Sequence, residues 1–375
     1  IYKLTKALKK QLQRSRQARL IQEVQTMDAR TAAGEILHRL RPFLGPSNPK
    51  KLKKKGLPAV NNEDGSPCQT PAEARDRWIR FFSQMEGGDR VSHAQYREHW
   101  LSSLAQFSNV APFSIDVREV PSLVDLENAY RRVAVGKAIG EDGVPPELCH
   151  YKAVDMARLT YAMMLKVLLF GQEAAEHKGG RLAIAWKHRG DVRDCSTHRS
   201  LLVSSHVGKT LHRALRQKHN ALYTRYMQAQ QLGGRPKMPV GIPLHASRAF
   251  LRWQARLGRP TAMIFLDLTE AFYRIIRPLA LGGDLSDERV AEMAHKLGLQ
   301  GDALHEFHAQ LAEPSALADA GASPTVQRFL QAIHAETWFR IGDQQDIVKT
   351  TIGSRPGDSY ADRKSTRLNS SHVKR

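Results

Sequence analysis

Cysteine is scarce in this chain. Cys68, Cys149 and Cys195 are the three in 375 residues, far apart and odd in number. That excludes a disulfide framework and the paired spacing of a zinc knuckle, and it makes a reducing compartment the expectation. No run approaches the ~18 apolar residues of a membrane-crossing helix, and no signal-peptide pattern is present. An intracellular location, nuclear or cytoplasmic and not secreted, is therefore expected, with no membrane partner. Acidic residues are few as well: 37 Asp and Glu stand against 57 Lys and Arg, for a net charge of +20. No two aspartates are adjacent anywhere. The 41% hydrophobic content still suffices for a core, and the length allows two or three domains. The chain opens at Ile1, without Met and inside a helical pattern, so the N-terminus reads as cut.

What is abundant is positive charge, and it is unevenly spread. Residues 1–55 hold 15 Lys and Arg against 3 Asp and Glu, a net of +12. Such a field favours a polyanion, of which nucleic acid is the commonest. The plain alternative is a solvated basic linker. Sparse aromatics argue against a membrane surface. At the other end Asp362 to His372 reads DRKSTRLNSSH, the translation of a common sequencing-library adapter. Residues 362–375 are therefore expected to be an adapter-derived tail and are excluded from fold reasoning.

Periodicity outlines the elements between. Leu4, Leu8 and Leu12 predict a helical, basic extension over residues 3–41, and Gly45 to Pro58 reads as a linker. Thr70, Pro71 and Glu73 open a helix that carries Trp78, Phe81, Phe82 and Met85 on its core side. Residues 88–130 read as loops, followed by a helix near Leu126 to Val135. Residues 153–175 predict an apolar helix with Met156, Leu159, Met163, Met164, Val167 and Leu168 on its face. A short strand is expected at Ala183 to Trp186, and a basic amphipathic helix over Val207 to Tyr226. Residues 238–257 read as loop then helix, and a strand is expected to lead into Asp267. Residues 287–340 read as mostly helical with a small-residue loop at Ala316 to Ser323. Trp338 to Ile341 and Gln345 to Ile352 form an expected hairpin feeding a Gly-rich turn.

Four segments carry possible chemistry. GKAIGEDGVPPELC, residues 136–149, is a tight turn before a helix. WKHRGDVRDCSTHRSLLVSSHVGKTLHR, residues 186–213, sets a run of cations between a strand and a helix, where Lys187, Arg189, Arg199 and Lys209 can clamp phosphates. FLDLTEAFYRI, residues 265–275, follows an apolar run with Asp267 and, five residues on, Phe272. GSRPGDSYA, residues 353–361, is rich in glycine, which lets backbone approach a ligand closely. The plain alternatives are a structural turn, a solvated basic loop, a strand-terminal Asp that caps a helix, and a loop.

In this order the four segments resemble the reverse-transcriptase domain of non-LTR retrotransposons, over roughly residues 57–361. LPAVNNEDGSPCQTPAEARDRWIRFF resembles the stretch that precedes such domains, and QLGGRP resembles the stretch ahead of the first palm motif, with Gly234 in place of Phe. The resemblance implies an α/β (α+β) right-hand polymerase, mostly helical, with fingers and an incomplete palm. The expected divisions are a basic helical extension over 1–55, a linker and helical segment over 56–113, and the polymerase domain over 114–361. It implies an RNA template, a DNA primer, deoxynucleoside triphosphates, and Mg²⁺ (or Mn²⁺) as cofactor. Asp267 would be the catalytic metal ligand, the Leu268 carbonyl would lie at the nucleotide, and Phe272 would be a steric gate against ribonucleotides. Lys187 and Arg199 would hold the triphosphate. Lys137, Arg189, Lys209, Gly353, Arg355 and Gly357 would lie along template and primer. Asp358 or Ser359 would cap the helix that follows.

The chain departs from the pattern at His198 (usually aromatic), Ser200 (usually Pro), Tyr273 (usually Asp) and Pro356 (usually Gln). The second acidic motif, an aromatic-Ala-Asp-Asp turn, is missing, so this fragment is expected to be inactive: one carboxylate does not ligate two Mg²⁺ ions. The polymerase reading requires Asp267, Lys187 and Arg199 to converge on one cleft. The competing readings are a non-catalytic basic nucleic-acid-binding protein acting through residues 1–55, and a degenerate retroelement remnant.

Overall fold

A computed structural model describes residues 2–27, 33–40, 57–108, 115–222, 241–264, 273, 275–283, 285–342 and 346–354. The fold mixes helices with one five-stranded sheet. The helices are α1 (Tyr2–Gln25), α2 (Ala33–Leu40), α3 (Pro71–Met85), α4 (His93–Ser108), α5 (Leu123–Arg131), α6 (Pro146–Tyr151), α7 (Ala153–Phe170), α8 (His206–Lys218) and α9 (Gly241–Arg256). Then follow α10 (Arg277–Leu281), α11 (Asp287–Leu297), α12 (Asp302–Ala312), α13 (Ala316–Asp319) and α14 (Pro324–His334). The strands are β1 (Asp89–Val91), β2 (Gly179–Trp186), β3 (His198–Ser204), β4 (Thr337–Ile341) and β5 (Ile347–Thr350), in the order β1-β5-β4-β2-β3. Only the β2–β4 pair is parallel; the other neighbours run antiparallel.

Two larger apolar clusters hold most of these parts, with smaller ones at α11–α12 and beside α4. Beneath one face of the sheet, Trp78 and Phe82 of α3 pack with Leu182, Phe339, Ile341 and Val348. Thr70 caps α3 as expected, its hydroxyl accepting the Glu73 amide, and Trp78 stacks on Phe82 at 5.8 Å. The larger core is helical: Leu126, Tyr130, Ala157, Met164, Leu168, Leu211, Val326, Phe329 and Ile333 interlock α5, α7, α8 and α14. Val24, Met27 and Leu40 are buried in that same cluster. Arg39 pairs with Glu23 at 2.8 Å, and the Lys152 ammonium donates to the Gln25 carbonyl at 2.8 Å. The described part of the basic extension is therefore docked on the helical core.

Several sequence expectations need correction. Residues 93–108, read as loop, form α4, whose Tyr96 and Trp100 pack beside Trp338 and Ile347. The strand expected at Ala183 begins four residues earlier, at Gly179. The glycine pair masked it: a Cβ on Gly179 would lie 2.3 Å from the Trp338 ring, and one on Gly180 2.2 Å from the Val203 carbonyl. On α7, Leu159 and Met163 are exposed, and Ala157 and Thr160 take the buried positions because the core meets a narrower stripe. Ala316 to Asp319 is a helical turn capped by Ser315, not a loop. The expected β4–β5 hairpin is present. The expectations for the Gly45–Pro58 linker fall largely, and those for the QLGGRP stretch and the adapter-derived tail wholly, outside the described residues.

Candidate nucleic-acid interface

The β2–β3 hairpin alternates with period two, and its two faces differ in chemistry. His198 and Ser200 are buried against α3, whereas Arg199 and Leu201 between and beyond them are exposed. The His198 ring meets Trp78 edge-on at 5.0 Å, which is the packing role an aromatic would fill there. Arg199 pairs with Ala185, and Lys187 continues the ladder by one residue, its amide donating to the Thr197 carbonyl at 2.9 Å. Lys187 and Arg199 therefore occupy diagonal positions on the outer face, about 7–8 Å apart at the backbone. Arg181 lies on this face too, in register with Arg340 of β4. The Lys187 ammonium donates to the Ser196 carbonyl at 2.7 Å, which leaves two of its three N–H groups for a ligand.

The hairpin tip is built from short-range turns. The Asp191 carboxylate accepts the Arg193 amide at 2.9 Å, and Asp194 accepts both the amide and the hydroxyl of Ser196 at 2.9 and 2.6 Å. Those Ser196 bonds hold the Asp194 carboxyl below its ordinary range. The turn keeps Arg189 at an exposed tip beside Gly190, which has a φ of 73°.

The loop of residues 136–147 comes up beside this face. Gly140 touches the backbone of Ser205, where a Cβ would meet the Cα at 2.8 Å. The Asp142 carboxylate accepts the Ser205 hydroxyl at 2.5 Å, and the Ala138 carbonyl accepts His206 Nε2–H at 2.9 Å. Glu141 reaches across to pair with Arg340. Ser205 caps α8, so the loop is locked to that helix start; Lys137 is exposed and Lys209, one turn into α8, is half-buried.

Two contacts then join the remaining motifs to the hairpin. The hydroxyls of Tyr273 and Ser200 share a hydrogen bond, and Tyr273 packs on the Trp78 cluster. The Gly353 amide donates to the Ile275 carbonyl at 2.8 Å. Arg277, 9% exposed, completes the join: its five N–H groups donate to the carbonyls of Gly353, His334, Thr350 and Ile352 and to the Thr350 hydroxyl, at 2.8–3.1 Å.

Of the expected site residues, Lys187, Arg189 and Arg199 lie at the tip end of the β2–β3 hairpin, whereas Lys137 and Lys209 lie by the start of α8 at the other end of β3, about 20 Å away along the extended strand. Gly353 is buried with a φ of 83°, and both its backbone groups are taken inside the protein by Ile275 and Arg277, so its glycine serves an internal turn rather than a template contact. Asp267, Leu268, Phe272, Arg355 and Gly357 lie outside the described residues. Sequence reading missed Arg181, Arg340 and Arg277. Period-two alternation in β2 and β4 would have found the first two; Arg277 gave no signal, because its acceptors come from residues far along the chain. Two of the positions where the motifs depart from the resembled pattern, Ser200 and Tyr273, touch each other.

Among the described residues, no group of three or more His, Cys, Asp or Glu side chains is placed to hold a metal ion. The chain has no adjacent Asp-Asp pair to join Asp267, a donor set that does not fit two Mg²⁺ ions. Among the described residues no helix is long and apolar enough to cross a membrane. No protein-family model matches the chain. A search of curated proteins finds no match either.

Proposed function

We propose that this chain is the fingers and part of the palm of an RNA-directed DNA polymerase of the non-LTR retrotransposon type, and that the outer face of the β2–β3 hairpin receives the triphosphate of an incoming deoxynucleotide. One observation carries the reading. Residues of three of the resembling motifs meet: Tyr273 touches Ser200, next to Arg199, and Ile275 holds Gly353. Lys187 and Arg199 supply cations on a rigid ladder, and an arginine fork suits phosphate oxygens. In the full enzyme Mg²⁺ would serve nucleotidyl transfer onto a DNA primer along an RNA template. Templated extension by this chain is not expected, since a single carboxylate does not hold two ions productively.

The test is photocrosslinking of an azido-deoxynucleoside triphosphate to the whole chain. Each charge-assisted contact contributes about 1.5–3 kcal/mol, so Lys187→Ala and Arg199→Ala should each weaken labelling roughly 10- to 100-fold. Unchanged labelling in both variants would sink the proposal. Primer extension abolished by Asp267→Asn would overturn the expected inactivity. A non-enzymatic reading has one observation in its favour: Arg14, Arg16 and Arg19 are exposed on α1. It requires nucleic-acid binding that ignores Lys187 and Arg199 and falls steeply with salt.

A further inference from the structure

Helix α9 is four turns long and none of its residues is buried. Ile242, Phe250, Trp253 and Leu257 are 47–53% exposed. Large aromatics left in solvent on one element mark a binding surface rather than a core. At about 100° per residue, Ile242, Ala246, Ala249, Phe250, Trp253 and Leu257 fall in one stripe roughly 100° wide. His245, Arg248, Arg252 and Arg256 fall in the stripe beside it. The four arginines from Arg248 to Arg259 are exposed, residues 241–264 contain no Asp or Glu, and none of the four forms an ion pair with another described residue. The Phe250 and Trp253 rings are 6.1 Å apart and tilted by 56°, and each residue is about half exposed.

We propose that α9 is a platform for single-stranded nucleic acid, with bases stacking on Phe250 and Trp253 and phosphates tracked by Arg248, Arg252 and Arg256. Aromatic faces accept any base, and a basic edge beside them follows the backbone. Arginines four residues apart advance about 6 Å along the helix per step, comparable with the separation of successive phosphates in an extended strand. Charge complementarity selects this occupant. A second copy of a +20 chain brings a like field to the same face, whereas a nucleic-acid strand is a polyanion with flat apolar faces. The site is separate from the hairpin face and does not depend on how that face is read.

Residues 1–55 carry a net +12 that would draw a polyanion wherever α9 lies, so a readout local to α9 is needed. Trp253 provides it among the five tryptophans. The whole chain is titrated with a single-stranded oligo(dT), a blunt DNA duplex and phosphatidylserine vesicles, while tryptophan emission and the salt dependence of binding are followed. The strand is expected to quench emission in the wild type but not in Trp253→Phe, and Trp253→Ala should weaken binding about tenfold. Changing Arg248, Arg252 and Arg256 together to Gln should lower the slope of log K against log salt by about 2. Phe250 and Trp253 are about half exposed and α9 has no buried residue, so melting temperatures should stay close to the wild type. The proposal is overturned by an unchanged affinity and slope, by quenching with duplex equal to that with the strand, by quenching with vesicles alone, or by self-association that Trp253→Ala abolishes. Quenching without triphosphate crosslinking removes the hairpin reading alone; crosslinking without quenching removes this one alone.

Discussion

Replacing Arg277 by Leu tests whether the segments around Ile275 and Gly353 are held together as the structure describes. The guanidinium is nearly buried, and all five of its N–H groups are satisfied by acceptors on three segments: the last turn of α14, the end of β5 and the turn at Gly353. The His334 carbonyl is one of those a helix C-terminus leaves open, so the arginine also closes α14. Each bond from a charged donor contributes about 1.5–3 kcal/mol net. The five do not add, because burying the cation costs much of the gain. Removing one partner from such a buried polar network costs about 3–5 kcal/mol, a fifth or more of the ~5–15 kcal/mol that holds a domain folded. Arg277→Lys should lose about half as much, since a point charge with three donors cannot span a fork of five acceptor sites. Urea denaturation gives the global effect. Hydrogen exchange at the Gly353 amide, bonded to Ile275, gives the local one, and protection there should fall before global unfolding. A loss below about 1 kcal/mol, with Gly353 protection unchanged, would refute the argument.

Two further outcomes follow from named groups. His219, at the end of α8 and 5.9 Å from the Phe329 ring, has its pKa pushed down to about 4 by burial. The unfolded chain gains that proton near 6.5 while the folded one resists it, so stability is full above pH 6.5 and falls by up to about 3 kcal/mol as pH drops to about 4. Burial lowers His177 as well, adding loss in the same direction. Urea midpoints for the wild type and His219→Gln should converge over that window, and parallel curves would contradict it. Gly140→Ala should cost about 1–3 kcal/mol and loosen the loop around Lys137, because the new methyl meets the Ser205 backbone at 2.8 Å. A crosslink yield and melting temperature equal to the wild type would show that the loop is not seated there.

The legible parts of the sequence were those governed by neighbours along the chain. Thr70-Pro71-Glu73 declared a helix start because capping is a contact between residues three apart, and the turn at residues 140–146 was readable for the same reason. The cations of the hairpin could be named from order and spacing. Their shared face could not, because it depends on the pairing of Arg199 with Ala185. The α4 helix was hidden by its mixed, weakly periodic residues, which become a helix by packing Tyr96 and Trp100 beside Trp338 and Ile347. The exposure of Phe250 and Trp253 was equally unreadable, since a stripe of that kind is usually core. By itself, then, the sequence determined the basic character of the chain, its local caps and turns, and the order of its motifs, all set by charge and short-range contacts. Only tertiary structure decided that Ser200 meets Tyr273, that Gly353 answers Ile275, and that Arg277 binds three segments at once. Those contacts join residues 57 to 78 positions apart, and what fixes them is the burial of a shared core.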